Sequence, residues 1–438
     1  MKKTFYFPFL LLAAALYWHG CISTNQSYTL VAPGLWRGIL TLERPVFPVP
    51  AKKDSVVILY EQFNPGELPF NFEVIYTAPD KFYIEFINGS ERIRCDSIRF
   101  GRDRTTARDT FNVYFPEYQS YIHAEVRGGG MQGYWTITSK KDYRIPFVAD
   151  AGRDYRFTSM KNRPEADLTG QWAALFGVDK DQPERAVGEF KQDGNHLTGT
   201  FRTETGDYRF LEGTVQGRKF WLSAFDGAHA FLFSGSVQGD SLQGEFISGK
   251  SQPTLWTAWK DASFDLRHPD ELSKATAAAF QLQLPEAGGQ QVRYPAPNYA
   301  GKVCLFTISG TWCPNCKDEL IFLRDFVKQH PEMAQQMAIV PCSFERHSEP
   351  AAALAHLKQY RKTLDLPFDL AYAGPAGREE AAKVFHQLDQ VLAFPTMIIV
   401  DKKGRVRRVH TGFDGPATSR FVTFKEEFTR LMTQLTQE

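Results

Sequence analysis

Cysteine is scarce in this chain. Six in 438 residues are far too few for a disulfide-stapled scaffold, so any thiol chemistry must come from where those few are placed. Excess charge is missing too: 51 lysines and arginines face 50 aspartates and glutamates. No long basic run with interleaved aromatics is present to follow a phosphate backbone, which argues against nucleic acid as a partner. Histidines are scattered; His123, His196 and His229 have no ligand spacing, so no metal site and no cofactor are expected. Past the N-terminal segment no apolar run is long enough to span a bilayer. What is abundant is apolar and aromatic material, 43% and 14% of the chain, enough for roughly two to three globular domains.

The first residues read as an export signal. "MKK" is a positive start, and "TFYFPFLLLAAALYW" is an apolar core too short and too interrupted by proline for a comfortable span. "LYWHGC" then places a small residue before Cys21. This resembles a bacterial lipoprotein signal, which implies that residues 1–21 carry the signal and that Cys21 is lipidated as the mature N-terminus, with acyl chains enough for stable anchoring. The expected location is the cell envelope, extracytoplasmic (periplasmic) and lipid-anchored to a membrane. Ordinary signal cleavage nearby, with Cys21 a bystander, is the alternative.

From about residue 28 to 262 the pattern is short alternating strands with turn signals between them. Asp193-Gly194, Asp226-Gly227, Asn88-Gly89-Ser90 and Gly239-Asp240-Ser241 stand where hairpins require positive φ. The region also hints at repetition. "GLWRGIL" (34–40) and "GQWAALF" (170–176) each open a unit, and "EVRGGGMQGYWTI" parallels "SVQGDSLQGEFIS" near the two ends. Two sequential antiparallel barrels or sandwiches, 28–160 and 165–262, are expected. Their tryptophans, Trp36, Trp135, Trp172, Trp221, Trp256 and Trp259, read as packed core, with a ligand cavity as the alternative.

The texture changes after 262. A polar connector, 263–277, leads into a domain spanning 278–438, where strands alternate with helices: "VCLFTI", "ELIFLRDFVKQ", "MAIVPCSF", "EPAAALAHLKQYRKTL", "PTMIIVD", "RVRRVHTGF" and "FVTFKEEFTRLMTQL". This is the order of an α/β thioredoxin fold. Between the first strand and first helix lies "ISGTWCPNCKDEL" (308–320). A Cys-x-x-Cys at the first turn of a helix has a chemical consequence, because unpaired N–H groups and the helix dipole favour a thiolate on the first cysteine. Cys313 is then the nucleophile and Cys316, one turn further in, the resolving thiol. Pro314 suits the first turn, where its missing N–H would have been unbonded anyway.

"GTWCPNC" after an apolar strand, Glu319 three residues beyond the second cysteine, and "LAFPTMIIVDKKGRV" together resemble the TlpA/ResA-like thiol–disulfide oxidoreductases of the thioredoxin superfamily. The resemblance implies a membrane-tethered extracytoplasmic domain that reduces particular disulfides. It implies a cis-proline at Pro395 facing the sulfurs, and Trp312 as a wall beside them. Thioredoxins carry an acid six positions before the first cysteine, where this chain has Thr307; Glu319 becomes the group that moves a proton to and from Cys316, or else a solvated first-turn acid.

Competing readings of the motif are open at this point. Zinc would need two more ligands, yet the nearest thiols, Cys304 and Cys342, lie in apolar runs that read as adjacent strands, as core residues or an auxiliary disulfide. Peroxiredoxins would need a threonine and a proline where Gly310 and Phe306 stand. The function expected is a disulfide reductase acting on disulfide-bonded proteins, since Asn315 between the cysteines brings no charge that would favour an oxidant. Sustained reduction outside the cytoplasm implies a transmembrane electron donor. The alternative is a surface binding protein whose thioredoxin-like domain docks partners or senses redox state.

Overall fold

The computed structural model describes residues 31–42, 64–285, 291–347 and 349–438; Cys21 and the export segment lie outside them. Nine antiparallel strands from Gly34 to Ala151 form one sheet. Gly34–Thr41 is central, between Glu67–Ala78 and Arg144–Ala151, and the sheet runs outward to edges at Glu91–Cys95 and Ile98–Arg102. Side chains alternate as a half-buried sheet requires, so that Ile145, Phe147 and Ala149 point inward from one strand.

The second β unit repeats this plan. Gly170–Phe176 lies between Glu184–Asp193 and Thr254–Lys260, and here the sheet closes into a barrel because Glu184–Asp193 also pairs with His196–Thr203. The two opening strands are built alike. Gly34 and Gly170 have φ of +93° and +111°, which favours glycine, and each following tryptophan donates its indole N–H to a carbonyl four residues upstream: Trp36 to Ala32 at 2.9 Å, Trp172 to Leu168 at 2.8 Å.

The two expected antiparallel β units are both present, and they differ in how their cores are completed. Among the described residues only the second closes through a strand pairing; the first is a sheet whose core is completed by its neighbour. Phe225, from the barrel, sits against Phe70 (4.6 Å between ring centroids), Trp135 (5.1 Å) and Phe86 (5.6 Å). Ala230, Leu232 and Ile247 join the same cluster. An unclosed sheet leaves apolar interior uncovered, and the barrel's strands fill it. Trp36, Trp135, Trp172 and Trp256 are buried in these two cores, while Trp221 and Trp259 are partly exposed.

The C-terminal domain is a thioredoxin fold. Its elements are β1 (Val303–Ser309), α1 (Pro314–Gln329), β2 (Met337–Glu345), α2 (Pro350–Thr363), β3 (Ala371–Pro375), α3 (Arg378–Val384), β4 (Thr396–Val400), β5 (Val406–Thr411) and α4 (Arg420–Gln437). The sheet order is β3-β2-β1-β4-β5, with β1, β2 and β3 parallel and β4 and β5 antiparallel to their inner neighbours. β1 is buried along its whole length, as a central strand covered on both faces must be. Phe322, Leu323 and Phe326 of α1 pack with Phe424 and Phe428 of α4 on one face; Phe280, Tyr294 and Phe385 cover the other.

Part of the expected connector belongs to this domain. Leu272 is buried, Asp270 accepts from His410 at 2.8 Å and pairs with Arg408 at 2.7 Å on β5, and Thr411 donates to Ser273 at 2.8 Å. These bonds draw the chain from about 268 onward onto the sheet edge. Cys304 and Cys342 do lie on adjacent strands, but the register sets Cys304 opposite Ala338 and Cys342 opposite Ile308. Four residues of offset is roughly 13 Å, beyond disulfide reach. Both are core thiols whose burial pushes their pKa up, that of Cys304 to about 12. Cys95 is likewise buried and pushed up to about 12.

The shared core makes a specific prediction. Phe225→Ala should cost about 3–5 kcal/mol and should loosen the first sheet as well as the barrel that carries the residue. Hydrogen exchange of the Glu67–Ala78 strand in the variant checks this; unchanged protection there would mean that the two cores are independent.

Candidate active site at Cys313

The loop from Ser309 to Cys313 turns the buried strand β1 into helix α1. Cys313 has extended backbone (φ −107°, ψ 109°) and caps the helix, its sulfur accepting the Cys316 N–H at 3.2 Å. A negatively charged sulfur strengthens that bond and gains from the helix dipole. The Cys313 thiol also lies 3.4 Å from the carbonyl oxygen of Phe394, and the Phe394–Pro395 peptide is cis. Cys316 is wholly buried behind it, whereas Cys313 keeps 7% exposure. The geometry separates an outer sulfur that can be attacked from an inner one that cannot.

A buried carboxylate holds the loop in place. Glu345, at the end of β2, accepts from the Thr311 N–H (3.0 Å), the Thr311 hydroxyl (2.6 Å) and the Ser343 hydroxyl (2.7 Å). The Trp312 indole donates to the Phe344 carbonyl at 2.8 Å, and its ring stands 5.3 Å from that of Phe394. Trp312 is thereby fixed beside the sulfur as a wall.

Glu319 is not a solvated acid. It is completely buried on the inner face of α1, and neither carboxyl oxygen makes a hydrogen bond among the described residues. Burial first, and then the nearby Cys313 sulfur, push its pKa well above the carboxylate range, with the Thr307 hydroxyl working against them. Cys316 is pushed up for the same reasons: burial, then Cys313, then Glu319. A carboxyl whose proton affinity is raised toward that of a thiol is suited to exchanging a proton with one.

The β half reaches this site, which nothing in the motif announces. The exposed side of the first turns of α1 is bonded to it at three successive polar positions. Asn315 donates to the Asp207 carbonyl (3.4 Å), Lys317 pairs with Glu117 (3.0 Å), and Asp318 pairs with Arg209. Arg209 is buried and also holds Glu91 (2.5 Å) and Asp226 (3.6 Å). Asp207 accepts in addition from the backbone N–H of Gly415 at 2.9 Å. Three carboxyls, those of Glu91, Asp226 and Asp318, thus meet one guanidinium, and a fourth, that of Asp207, accepts from the Arg209 backbone N–H at 2.6 Å. They divide the proton unevenly. Burial opposes ionisation of Asp226, but His229 and then Arg209 hold it down to about 2, whereas Asp207 is pushed up to about 7 by burial, which outweighs Arg209, with Asp318 adding to the rise.

Together these units border an open cavity of about 310 Å³ over Cys313. Its walls come from the first sheet (Lys140), the barrel (Asp207, His229) and the C-terminal domain (Trp312, Arg346, Phe394). Of the residues singled out from the sequence, Trp312, Cys313, Cys316, Glu319 and Pro395 are brought to one place. His229 reaches the cavity as the partner of Asp226, not as a metal ligand; among the described residues no group of side chains is arranged to hold a metal ion. Glu345, Asp207, Arg209 and Asp318 were not foreseen, because each becomes important only through a partner more than thirty residues away.

Residues 272–423, within the C-terminal domain, match the Redoxin family model. Among solved structures, a thioredoxin-family thiol:disulfide interchange protein from Chlorobium tepidum TLS is 19% identical and covers 37% of this chain and 97% of its own, with a TM-score of 0.27. A thiol-disulfide oxidoreductase from Bacteroides fragilis is 17% identical, covering 35% and 99%, TM-score 0.26. A secreted thiol-disulfide isomerase from Corynebacterium glutamicum is 17% identical, covering 40% and 99%, TM-score 0.27. No curated protein matches the chain.

Two outcomes are expected at the interface. Arg209→Met removes the guanidinium from among these buried acids and should lower stability by about 3–5 kcal/mol, read from urea unfolding. Asp207 gives a pH dependence with a definite sign. Between the unfolded value near 4 and about 7 the folded chain keeps a proton that the unfolded chain has released, so stability falls as pH rises across that window. Asp207→Asn should flatten the decline in melting temperature between pH 4 and 7; an unchanged slope would place the titration elsewhere.

Proposed function

We propose that the chain is a thiol–disulfide oxidoreductase working through the Cys313–Cys316 couple. The observation that carries this is the division of labour between the sulfurs: Cys313 caps the helix and accepts the Cys316 N–H, while Cys316 is sealed behind it. Cys313 attacks a substrate disulfide and forms a mixed disulfide. Cys316 then attacks the Cys313 sulfur and closes the internal disulfide, and Glu319 receives the Cys316 proton. Trp312 and the Phe394–Pro395 segment border the approach to the sulfur.

The direction favoured is reduction. Nothing charged stands between the cysteines, where Pro314 and Asn315 lie, so the thiolate lacks the extra stabilisation that makes a strong oxidant. With the export segment and lipid anchor at Cys21, this describes an envelope reductase recharged by a transmembrane donor. Both of those parts rest on the sequence.

Glu319→Gln keeps the shape and removes the base. Resolution of the mixed disulfide should slow by about 10² to 10⁴-fold, while alkylation of Cys313 changes little. Single-turnover reduction with acid-quenched intermediates tests this, with Cys316→Ala as the trapped reference. Equal rates with no accumulated intermediate would remove Glu319 from the mechanism and leave the couple standing. Loss of membrane fractionation in Cys21→Ser is the expected result for the anchor.

A further inference from the structure

The three units meet over the sulfur, and this bears on what can reach it. Cys313 has only 7% exposure, and the exposed side of α1, where Asn315, Lys317 and Asp318 point, is occupied by the β half. The approach is close: Gly206, at φ +145°, leaves no room for a Cβ, which would collide with the Asn315 side-chain nitrogen. A disulfide carried on a folded surface cannot be seated there while these bonds hold. What is left is the cavity of about 310 Å³, at the lower end of the size of small-molecule sites.

The charge on the sulfur side of that cavity is positive. Arg346, following β2, lies with its guanidinium over the Trp312 ring at 4.7 Å, and Lys140 lies over the Tyr143 ring at 4.7 Å. Both line the cavity, and neither is ion-paired among the described residues. The acids that line it are Glu184 and Asp207, both on the barrel. Asp207 is already occupied by the N–H groups of Arg209 (2.6 Å) and Gly415 (2.9 Å).

We propose that the disulfide reduced at Cys313 belongs to a small carboxylate-bearing molecule, of amino-acid or short-peptide size, held by Lys140 and Arg346, rather than to a folded protein. The proposal rests on Cys313 and Cys316 being a redox couple. Written RSSR, the substrate loses its S–S bond to the Cys313 sulfur and releases one RSH. Cys316 then attacks Cys313 and releases the second. The two electrons come from the protein dithiol, which becomes the Cys313–Cys316 disulfide, and its two protons leave on the two RSH. A dithiol donor restores the reduced protein.

The test is single-turnover oxidation of the reduced full-length chain by four probes: dithiodiglycolate (anionic), 2-hydroxyethyl disulfide (neutral), cystamine (cationic) and insulin. Each rate is divided by that of the same probe with free dithiothreitol, which removes intrinsic reactivity. Dithiodiglycolate should exceed cystamine by about tenfold or more, as expected for a charge-assisted contact, and insulin should be slowest. The double variant Lys140→Gln/Arg346→Gln should erase the anionic preference. Asp318→Asn, which weakens the contact of α1 with Arg209, should raise the insulin rate. Equal normalised rates for the anionic and cationic probes, or insulin reacting as readily as the small disulfides, would overturn the proposal while leaving the redox couple in place. Failure with all four probes would overturn the couple as well.

Discussion

Arg209 is the side chain on which the arrangement turns. It is buried, and its guanidinium touches Glu91 of the first sheet, Asp226 of the barrel and Asp318 of the redox helix, one acid from each unit. A buried charge is tolerable only where opposite charges and hydrogen bonds replace water. Here those replacements are distributed over three parts of the chain, so the guanidinium meets all three of its carboxylate partners only when all three are docked. One acid of the cluster stays protonated furthest up the pH scale. Asp207 is pushed up to about 7 because burial opposes its ionisation more than Arg209 favours it, with Asp318 adding to the rise.

Docking and sulfur chemistry share one helical segment. The inner side of α1 carries Cys316 and Glu319, both wholly buried; the outer side carries Asn315, Lys317 and Asp318, all bonded to the β half. A helix turns through 3.6 residues, so a single stretch of five residues can present a buried cysteine and carboxyl inward and an interdomain contact outward. Cys313 sits at the seam between them. The β half therefore acts on the site without contributing a sulfur, by deciding how much of Cys313 is reachable and what charges stand around it.

The β half also shows how a repeated plan becomes asymmetric. Both units start with a positive-φ glycine and a tryptophan bonded four residues back, and both flank that strand with their second and last long strands. One closes through pairing of Glu184–Asp193 with His196–Thr203. The other has no closing pair among the described residues and takes Phe225 and its neighbours into its core. Duplication of sequence motifs did not produce two equal bodies, because barrel closure depends on edge strands meeting in space.

The sequence by itself determined what is local. The glycine–tryptophan openings, the alternation of strands, the order of strands and helices after 300, and two cysteines one helical turn apart at a helix start are all short-range patterns whose physical meaning survives without coordinates. They sufficed for the thioredoxin fold and for Cys313 and Cys316 as a pair at a helix start, while Glu319 was added by the family resemblance. The tertiary structure alone decided the burial of Glu319, the four-residue offset that separates Cys304 from Cys342, the docking of Asp270 and Ser273 onto β5, and the closing of the β half over the sulfur. Each of these joins residues far apart in the chain, and a contact across that distance leaves no periodicity or spacing to read: Arg209 and Asp318 are ordinary surface residues in sequence and become a buried pair only because the folded units meet there.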